Sequence, residues 1–390
     1  MSTGSRVVGE RLHMATYLAQ PASGVRGPES FSGSLERLRI AEIAPVWLSV
    51  PPPGYGGIER VVGVLADELV EHGHDVTLFA VGESRTRAHV VRTMEDPPHP
   101  DDPSAALDDV FHSLTAYLRA GEFDLIHDHS RLGAGLGAVI AGHPPVVHTL
   151  HGPWTTKASR LLGAVDQRVG LVAISYAQAA ANPAIRYAGV VHNGIDVAAH
   201  PYRDTKDDFL VFVGRVNPEK GPAAALQVAR RTGRPLKLAV KRREQREWDY
   251  WNEVVAPLLR SEDEVFEQPP EAVKLDLLAR ARATLFPIDW PEPFGLVMVE
   301  SMACGTPVIA RRMGAAPEVI EPGVTGFLCD TVEEMAAAVE HADALSPAAC
   351  REHAQRRFSG PAMVARYERV FQRVGARRNA TAQCPDVAEG

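Results

Sequence analysis

Cysteine, aromatic side chains and long apolar runs are all scarce in this 390-residue sequence. Its four cysteines form no C-x-x-C pair and are too sparse for a disulfide scaffold, so we expect reduced thiols in a cytoplasmic protein. No apolar run reaches the roughly 18 residues of a membrane span. The net charge of −8 argues against a nucleic-acid partner, because phosphate binding requires an electropositive face.

The first 36 residues are rich in Ser, Gly and Arg and show no sustained periodicity. Arg6 and Arg11 precede LHMATYLAQPASG in the manner of a signal peptide, but Tyr17 and Gln20 make its apolar core too weak. We therefore expect a disordered or loosely packed leader and no secretion.

One short stretch is basic in spite of the acidic balance, and it contains Arg231, Arg234, Lys237, Lys241, Arg242, Arg243 and Arg246. Such a run can meet an anionic ligand or a membrane lipid, which would give a peripheral membrane contact. Glu244 and Glu247 interrupt the run, and a solvated face is the simpler interpretation.

Aliphatic residues are abundant, and the chain is long enough for two domains of about 150–200 residues with a cleft between them. Continuous apolar runs alternate with helical periodicity, which is typical of parallel strands covered on both faces. The sequence predicts an α/β fold of two Rossmann-like, doubly wound domains. We place a first domain at 37–198, a linker at 199–208, a second domain at 209–360, a last helix at 361–377 and a tail at 378–390.

Apolar runs predict the strands and amphipathic patterns predict the helices. We expect strands at 38–44, 75–81, 123–129, 144–152, 169–175 and 188–196, and then at 209–215, 235–240, 282–288, 306–311 and 325–330. We expect helices in the second half at 222–232, 245–260, 271–281, 296–304, 331–345 and 361–376.

Ligands of parallel sheets bind beyond the carboxyl ends of the strands, and glycines and charges gather at such places in this sequence. PPPGYGGIER (51–60), with Gly56 and Gly57, leads into a helix and can hold a phosphate or serve only as a connector. It is not a dinucleotide fingerprint, because Glu59 stands where the third glycine would be. In GRVNPEKG (214–221), Arg215 and Lys220 form a pair of cations suited to a diphosphate.

The segment WPEPFGLVMVESMACGTPVIA (290–310) carries the strongest chemical signal. Glu292 lies in a Pro-bracketed loop before the helix, and Glu300 lies just over one turn inside it, so the two carboxylates should reach different hydroxyls rather than form a catalytic pair. The amides of Gly295, Leu296 and Val297 are free at the helix start, where they favour a phosphate.

Two histidine patterns follow strands of the first half. VVHTLHG (146–152) places His151 at the carboxyl end of a strand, where it can contact a ligand or acceptor, although a histidine at a strand end is often structural. His127 and His129 share a face in a strand, as metal ligands would. We expect no metal site there, because no third ligand is nearby in the sequence.

At these positions the chain resembles the retaining GT-B glycosyltransferases of family 4 (glycosyl transferases group 1) over nearly all of 38–376. The resemblance rests on EPFGLVMVE (292–300), GRVNPEKG, GGIERVV and the HG at 151–152, which occur in the family's order and approximate spacing. It implies a hexosyltransferase that uses a nucleotide diphosphate sugar, with a UDP-sugar or GDP-sugar as the usual donor, and an acceptor hydroxyl.

The resemblance also implies roles for particular residues. Glu292 would contact the transferred sugar and Glu300 the donor ribose, while Arg215 and Lys220 would bind the diphosphate. The donor site would also include Gly56, Gly57, Phe294, Gly295, and the amides of Leu296 and Val297. His151 would line the reaction centre, and the last helix would cross back to the first domain.

The family's glycine turn that cups the nucleotide base is replaced here by Gln268-Pro269-Pro270, which leaves the base undefined. With no nucleophilic carboxylate evident, the sequence favours same-face displacement without an essential metal. The alternatives are a nucleotide-sugar epimerase or phosphorylase on the same fold, and a non-catalytic nucleotide-sugar-binding module. The acceptor is not defined by the sequence.

Overall fold

The fold is built on two parallel β-sheets, one in each half of the chain. The structure, a computed structural model, describes residues 37–54, 56–99, 102, 104–140 and 142–382, with side chains as far as residue 376. The predicted leader at 1–36 and the last residues of the predicted tail, 383–390, lie outside this part of the chain.

The first sheet has seven strands: β1 (Arg39–Ile43), β2 (Asp75–Val81), β3 (His89–Met94), β4 (Leu125–Asp128), β5 (Val146–Leu150), β6 (Gly170–Ala173) and β7 (Tyr187–Val190). Their order is β3-β2-β1-β4-β5-β6-β7, and all pairs are parallel. The strand order reverses between β1 and β4, which is where open sheets of this kind leave a crevice.

The second sheet has six parallel strands: β8 (Leu210–Arg215), β9 (Leu236–Lys241), β10 (Glu264–Glu267), β11 (Ala283–Phe286), β12 (Val308–Arg311) and β13 (Gly326–Cys329). Their order is β10-β9-β8-β11-β12-β13, so the corresponding reversal lies between β8 and β11. The two doubly wound sheets confirm the predicted fold class.

Helices cover both faces of each sheet. The first half contains α1 (Gly57–Glu71), α2 (Ala105–Tyr117), α3 (Gly133–Val139), α4 (Thr156–Gly163) and α5 (Tyr176–Ala180). The second contains α6 (Pro222–Thr232), α7 (Gln245–Tyr250), α8 (Glu271–Arg280), α9 (Leu296–Ala303), α10 (Ala316–Val319), α11 (Val332–Glu340), α12 (Pro347–Phe358) and α13 (Gly360–Ala382). In the described part of the chain, no helix has the length and hydropathy needed to cross a bilayer.

The last helix packs against the first sheet. Met363, Tyr367 and Phe371 of α13 are buried in one core with Leu65 of α1 and Val147 of β5. The helix extends to Ala382, five residues beyond the predicted end at 377.

Four of the named strands and helices were not predicted: β3, β10, α12 and the four-residue α10. Strand β3 is half exposed along its length, and β10 is mostly exposed, so neither has the continuous apolar run that marks a buried strand. Helix α12 is predominantly polar, and it buries only Cys350, His353, Ala354 and Phe358. A periodicity argument therefore has little signal for these elements.

The loop after β10 shows how the replaced glycine turn is accommodated. Gln268 has a φ of +43°, the left-handed conformation that a glycine would adopt without strain. Its backbone N–H donates to the carbonyl oxygen of Val240 at 2.8 Å, which retains the turn.

Replacing Gln268 with glycine is expected to raise the free energy of unfolding by about 0.5–1 kcal/mol. The left-handed region costs a non-glycine residue about 1–2 kcal/mol, and the greater freedom of glycine in the unfolded chain offsets part of this gain. Urea denaturation should show a higher midpoint at unchanged m-value. Gln268→Ala is the control, because it keeps the Cβ and the strain. A lower midpoint for Gln268→Gly would contradict the strained assignment.

Candidate active site

The loops that follow β8 and β11 are in close contact. Gly221 has a φ of +74°, and a Cβ on it would overlap the carbonyl group of Pro287. This approach brings Nζ of Lys220 into hydrogen-bond contact with Oε2 of Glu292. Two predicted catalytic residues, 72 positions apart in the sequence, thus form one ion pair.

The loop after β12 holds Glu292 in place. Gly314 has a φ of +56°, and a Cβ there would overlap the backbone of Glu292. The next residue, Ala315, donates its N–H to the carbonyl oxygen of Glu292 at 3.0 Å. Trp290 adds an aromatic ring whose centroid lies 5.0 Å from Nζ of Lys220. Sequence reasoning missed Gly314, whose role depends on a contact between distant loops.

Arg215 is the last residue of β8, and two carboxylates bind it. Its Nε donates to Glu247 at 2.7 Å, and a terminal nitrogen donates to Glu244 at 2.5 Å. Burial tends to lower the pKa of Arg215, but the hydrogen bonds of Glu247 and Glu244 raise it above the ordinary value. Glu247 is fully buried and Arg215 is 31% exposed, so the guanidinium is held at the sheet edge by charge pairing.

The basic stretch at 231–246 is largely paired with acidic side chains. Its ion pairs are Arg231–Glu333, Arg234–Asp208, Lys237–Glu264, Arg242–Glu267 and Arg246–Glu244. The pairing argues against an anionic-ligand site, but the stretch is not a solvated face either, since Arg234, Lys237 and Arg242 are only 10–16% exposed. The two interrupting glutamates, Glu244 and Glu247, have the further role of binding Arg215.

Glu300 lies buried within α9 and receives Lys274 of α8. Nζ of Lys274 is 2.9 Å from both carboxylate oxygens of Glu300 and 2.9 Å from Glu271. Glu271 in turn pairs with Arg60 of α1 at 3.1 Å. This chain of charges joins the predicted ribose residue to the helix that follows the glycine loop. Sequence reasoning missed Lys274, Glu271 and Arg60, which carry no motif.

Charge pairing keeps Lys274 and Glu300 ionised despite their burial. Burial alone would raise the pKa of Glu300, but the charge and hydrogen bonds of Lys274 lower it below the ordinary value. Burial would lower the pKa of Lys274, but Glu300 and Glu271 raise it above the ordinary value. A carboxylate has about four acceptor positions, so Glu300 can accept from further hydroxyls beside Lys274.

The glycine loop and the start of α9 meet. A Cβ on Gly57 would lie 3.0 Å from Leu296, the first residue of α9, and one on Gly56 would crowd Pro52. Gly295 precedes α9 with a φ of +83°, so the amides of Leu296 and Val297 begin the helix and lack helical acceptors. Two predicted donor-binding segments therefore lie side by side.

Phe294 is part of the core. Its side chain is 2% exposed and packs against His192 and Phe358, with ring centroids 5.9 Å away in each case. The side chain therefore stabilises the loop after β11 from the core side, and the place of Phe294 in the donor site stays a prediction.

His151 follows β5 and belongs to a buried histidine cluster. Its Nε2 lies 2.8 Å from Nδ1 of His129, whose Nε2 lies 3.1 Å from Oε2 of Glu42. Gln178 of α5 donates to the carbonyl oxygens of Leu150 and Gly152, which flank His151. The Nδ1 atom of His151 is buried and has no hydrogen-bond partner among the described residues.

Glu42 supplies the third group that sequence reasoning had not found beside His127 and His129. Nδ1 of His127 lies 2.9 Å from Oε1 of Glu42, and one potential ligand atom from each of the three residues falls within 4.8 Å of the others. No third ligand is nearby in the sequence, but β1 brings in an acid from 85 residues away, and the absence of a metal stays a prediction. Each nitrogen of the two imidazoles has a hydrogen-bond partner: His127 contacts Glu42 and Thr149, and His129 contacts Glu42 and His151.

The two doubly wound domains have the architecture of the GT-B class of glycosyltransferases. Residues 55–199 match the family model described as Glycosyltransferase Family 4, and residues 199–356 match the one described as Glycosyl transferases group 1. The chain belongs to this glycosyltransferase family, and the predicted resemblance is confirmed.

Several curated relatives are similar over most of their length. The chain is 27% identical over 331 residues to D-inositol 3-phosphate glycosyltransferase of Pseudarthrobacter chlorophenolicus, covering 70% of this chain and 78% of the relative. It is 28% identical to phosphatidyl-myo-inositol mannosyltransferase of Mycolicibacterium smegmatis, covering 77% and 84%. It is 29% identical to glycogen synthase of Mycobacterium tuberculosis, covering 72% and 80%.

Solved structures share the fold. The chain is 27% identical to AviGT4, a glycosyltransferase involved in avilamycin A biosynthesis, with a TM-score of 0.68 over 87% of this chain and 98% of that one. Anabaena HepE in complex with UDP-glucose has a TM-score of 0.65 at 20% identity, over 88% and 100%. At that identity the second likeness concerns the fold alone.

Proposed function

We propose that this glycosyltransferase moves a hexose-type sugar from a nucleotide diphosphate sugar to an acceptor hydroxyl, with retention of anomeric configuration and without an essential metal ion. The observation that carries the proposal is the contact between Lys220 and Glu292, next to the first turn of α9. A cation, a carboxylate and a helix N-terminus in one place suit a sugar bound through a phosphate.

The positive groups stabilise the leaving diphosphate. Lys220 and Arg215 supply two full charges, and the amides of Leu296 and Val297 supply the partial charge of the α9 N-terminus. Their charges are offset by the carboxylates of Glu292, Glu244 and Glu247, but the donors are held in place for a phosphate, which is the reason to propose metal-independent transfer. Gly57 allows the diphosphate to approach the backbone of the glycine loop.

Glu292 and Glu300 bind different parts of the donor. Glu292 contacts the sugar, where its negative charge also favours the positive character that develops on the anomeric carbon. Glu300 accepts hydrogen bonds from the ribose hydroxyls, and Lys274 keeps the Glu300 carboxylate ionised. His151 faces the sugar or the acceptor from the first domain.

Transfer proceeds by displacement on one face of the sugar. The bond between the anomeric carbon and the phosphate oxygen breaks, and its electron pair leaves with the diphosphate. The acceptor oxygen forms the new bond to the same carbon on the same face. Its proton passes to the departing phosphate oxygen, so no further base is required.

The domains divide the work between donor and acceptor. The second domain, 209–360, binds the nucleotide, and the first domain, 37–198, presents the acceptor, with 199–208 as the linker and 361–377 crossing back. Two of the relatives are named as sugar transferases with different acceptors. One name gives an inositol phosphate and the other a phosphatidylinositol. The proposal therefore specifies the donor class and a hydroxyl acceptor.

The test is a thermal-shift panel of nucleotide diphosphates and their sugars, followed by product analysis. A UDP-sugar or GDP-sugar at 100 times its Kd should stabilise the fold by about 2.7 kcal/mol. With the stabilising sugar and a set of hydroxyl acceptors, NMR of the product should show the anomeric configuration of the donor, with or without EDTA. An inverted product would overturn retention, and loss with EDTA would overturn metal independence. Turnover without any acceptor would indicate an epimerase.

A further inference from the structure

A continuous series of five hydrogen-bonded contacts, four of them buried and the last part-buried, ends at His151. In the order in which they contact one another, the residues are Tyr367, Thr149, His127, Glu42, His129 and His151. The contacts span 2.8–3.1 Å, all ordinary hydrogen-bond distances. Glu42, His127 and His129 have no exposed side-chain surface.

The imidazoles of His127, His129 and His151 are neutral at neutral pH. Burial lowers the pKa of His127, of His129 and of His151, to about 3 in each case. A neutral imidazole has one N–H and one lone pair, so a donor role for one nitrogen requires an acceptor role for the other.

With Glu42 as a carboxylate, every contact in the chain has one hydrogen and one lone pair. The carboxylate only accepts, so Nδ1–H of His127 and Nε2–H of His129 both donate to it. Nδ1 of His129 then carries a lone pair, which accepts a hydrogen bond from Nε2–H of His151. On the other side, Nε2 of His127 accepts from the Thr149 hydroxyl, which accepts from Tyr367.

A protonated Glu42 fits the contacts less well. A proton directed at His127 would make Nε2–H of His127 donate to Thr149, which leaves one buried hydroxyl hydrogen, of Thr149 or of Tyr367, without an acceptor. A proton directed at His129 would reverse the other side and leave a buried N–H on His151 without one. The pKa of Glu42 is raised, because burial outweighs the hydrogen bond and charge of His129. The assignment as a carboxylate rests on the contacts, since that state alone leaves no unpaired hydrogen among them.

The carboxylate state leaves one atom open, Nδ1 of His151, as a buried lone pair without a partner. We propose that Glu42 and His129 are positioning residues that hold His151 as the Nε2–H tautomer, so that Nδ1 accepts a hydrogen bond from a substrate hydroxyl. This inference rests on the proposed function, which places His151 at the sugar. A neutral acceptor atom selects a hydroxyl and disfavours a phosphate, so His151 binds the glycosyl group or the acceptor rather than the diphosphate.

The wild-type protein tests the tautomer directly. Selective 15N-histidine labelling with a His151→Gln variant for assignment should show His151 as neutral Nε2–H at neutral pH. An Nδ1–H form or an imidazolium would overturn the proposal. So would a stoichiometric metal ion in the purified protein that is lost in Glu42→Gln, because Glu42, His127 and His129 would then be ligands.

Glu42→Gln is the informative variant because an amide has the same shape but its nitrogen donates, whereas a carboxylate only accepts. Donation toward His127 would leave a buried hydroxyl hydrogen of Thr149 or Tyr367 without an acceptor, so the amide should donate to His129 and switch His151 to the Nδ1–H tautomer. We expect kcat to fall by about 10- to 100-fold, the usual effect of removing a group that orients a functional histidine. Thr149→Ser is the control, because it changes the side of Glu42 opposite to His151 and keeps the hydroxyl that His127 and Tyr367 contact. It should keep the wild-type tautomer and kcat.

Binding measurements on Glu42→Gln identify the hydroxyl. If it belongs to the glycosyl group, the Kd of the nucleotide sugar rises while that of the nucleotide diphosphate, which lacks the sugar, is unchanged. If it belongs to the acceptor, only the acceptor KM rises. A tautomer switch without change in kcat or in either affinity would overturn the positioning role. A wild-type protein that binds no nucleotide sugar would refute the proposed function, while the spectrum would still decide the tautomer.

Discussion

Replacing Arg215 with alanine is expected to reduce kcat for sugar transfer by about 100- to 1000-fold. The guanidinium is preorganised by Glu244 and Glu247 at the end of β8, and losing one such group costs about 3–4 kcal/mol of transition-state stabilisation. Initial rates at saturating donor and acceptor, for wild type and variant, measure the effect.

The Arg215→Ala variant is also expected to be less stable, which the sequence did not indicate. Glu247 is fully buried and loses its cation. We expect a loss of about 2 kcal/mol, below the ~3–5 kcal/mol of a fully buried pair, because Arg215 is partly exposed and Glu247 still accepts from the amides of Arg243 and Glu244. Rates must therefore be measured well below the melting temperature.

Arg246→Ala is the matched control for Arg215→Ala. Arg246 also pairs with Glu244, but its side chain is 74% exposed. Its removal should leave transfer and stability nearly unchanged, as for other exposed ion pairs. Full turnover by a folded Arg215→Ala protein would refute the proposed role of Arg215.

Replacing Lys274 with methionine is expected to lower the free energy of unfolding by about 3–5 kcal/mol, because it leaves the carboxylate of Glu300 buried without its cation. The double variant Lys274→Met/Glu300→Gln should recover much of this loss, since no unpaired charge remains. Urea denaturation of the wild type, the two single variants and the double variant forms a complete cycle. Equal losses in the single Lys274→Met and the double variant would contradict the pairing.

The pH dependence of this ion pair has a defined sign. The folded-state pKa of Glu300 is lowered, so its stabilisation is present above the unfolded glutamate pKa and is lost as the pH falls through the folded value. The folded-state pKa of Lys274 is raised, so its stabilisation is present below the unfolded lysine pKa and is lost as the pH rises through the folded value. The contribution of the pair to wild-type stability should therefore be flat between about pH 5 and about pH 10. In Lys274→Met, burial without the cation raises the pKa of Glu300, so the difference between wild type and variant should shrink as the pH falls through that raised value.

Arg231→Met serves as the surface control for Lys274→Met. Arg231 pairs with Glu333, and both side chains are largely exposed, at 46% and 66%. Water screens such a pair, so its removal should change the stability by less than about 1 kcal/mol. A similar loss in both variants would indicate a general effect of methionine rather than burial of an unpaired charge.

Much of the secondary structure could be predicted because it depends on residue patterns that extend over only a few positions. The pattern at 222–232 predicted α6 with the bounds that the structure has, and the apolar runs predicted β1, β2 and β8 within a residue or two. The exposed strands β3 and β10 could not be predicted in this way, because the sequence of a half-exposed edge strand differs little from that of a loop.

The site was predictable where its chemistry is local. The start of α9 with Gly295, and Glu300 inside the helix, follow from one segment. The pairing of Lys220 with Glu292 depends on the contact between Gly221 and Pro287, and the clamp on Glu292 depends on Gly314. Neither contact leaves a pattern in the sequence around the residues it positions.

By itself the sequence determined the α/β class, the order of strands and helices in most of the chain, and the segments that carry the candidate site. These follow from hydrophobic periodicity and backbone preferences, which act over a few residues. Only the tertiary structure decided which charges meet: Glu247 with Arg215, Lys274 with Glu300, and Glu42 with the two histidines of β4 and its following loop. Those pairings bring together strand ends and helices far apart in the chain, and their energies depend on burial, which exists only once the sheets have formed.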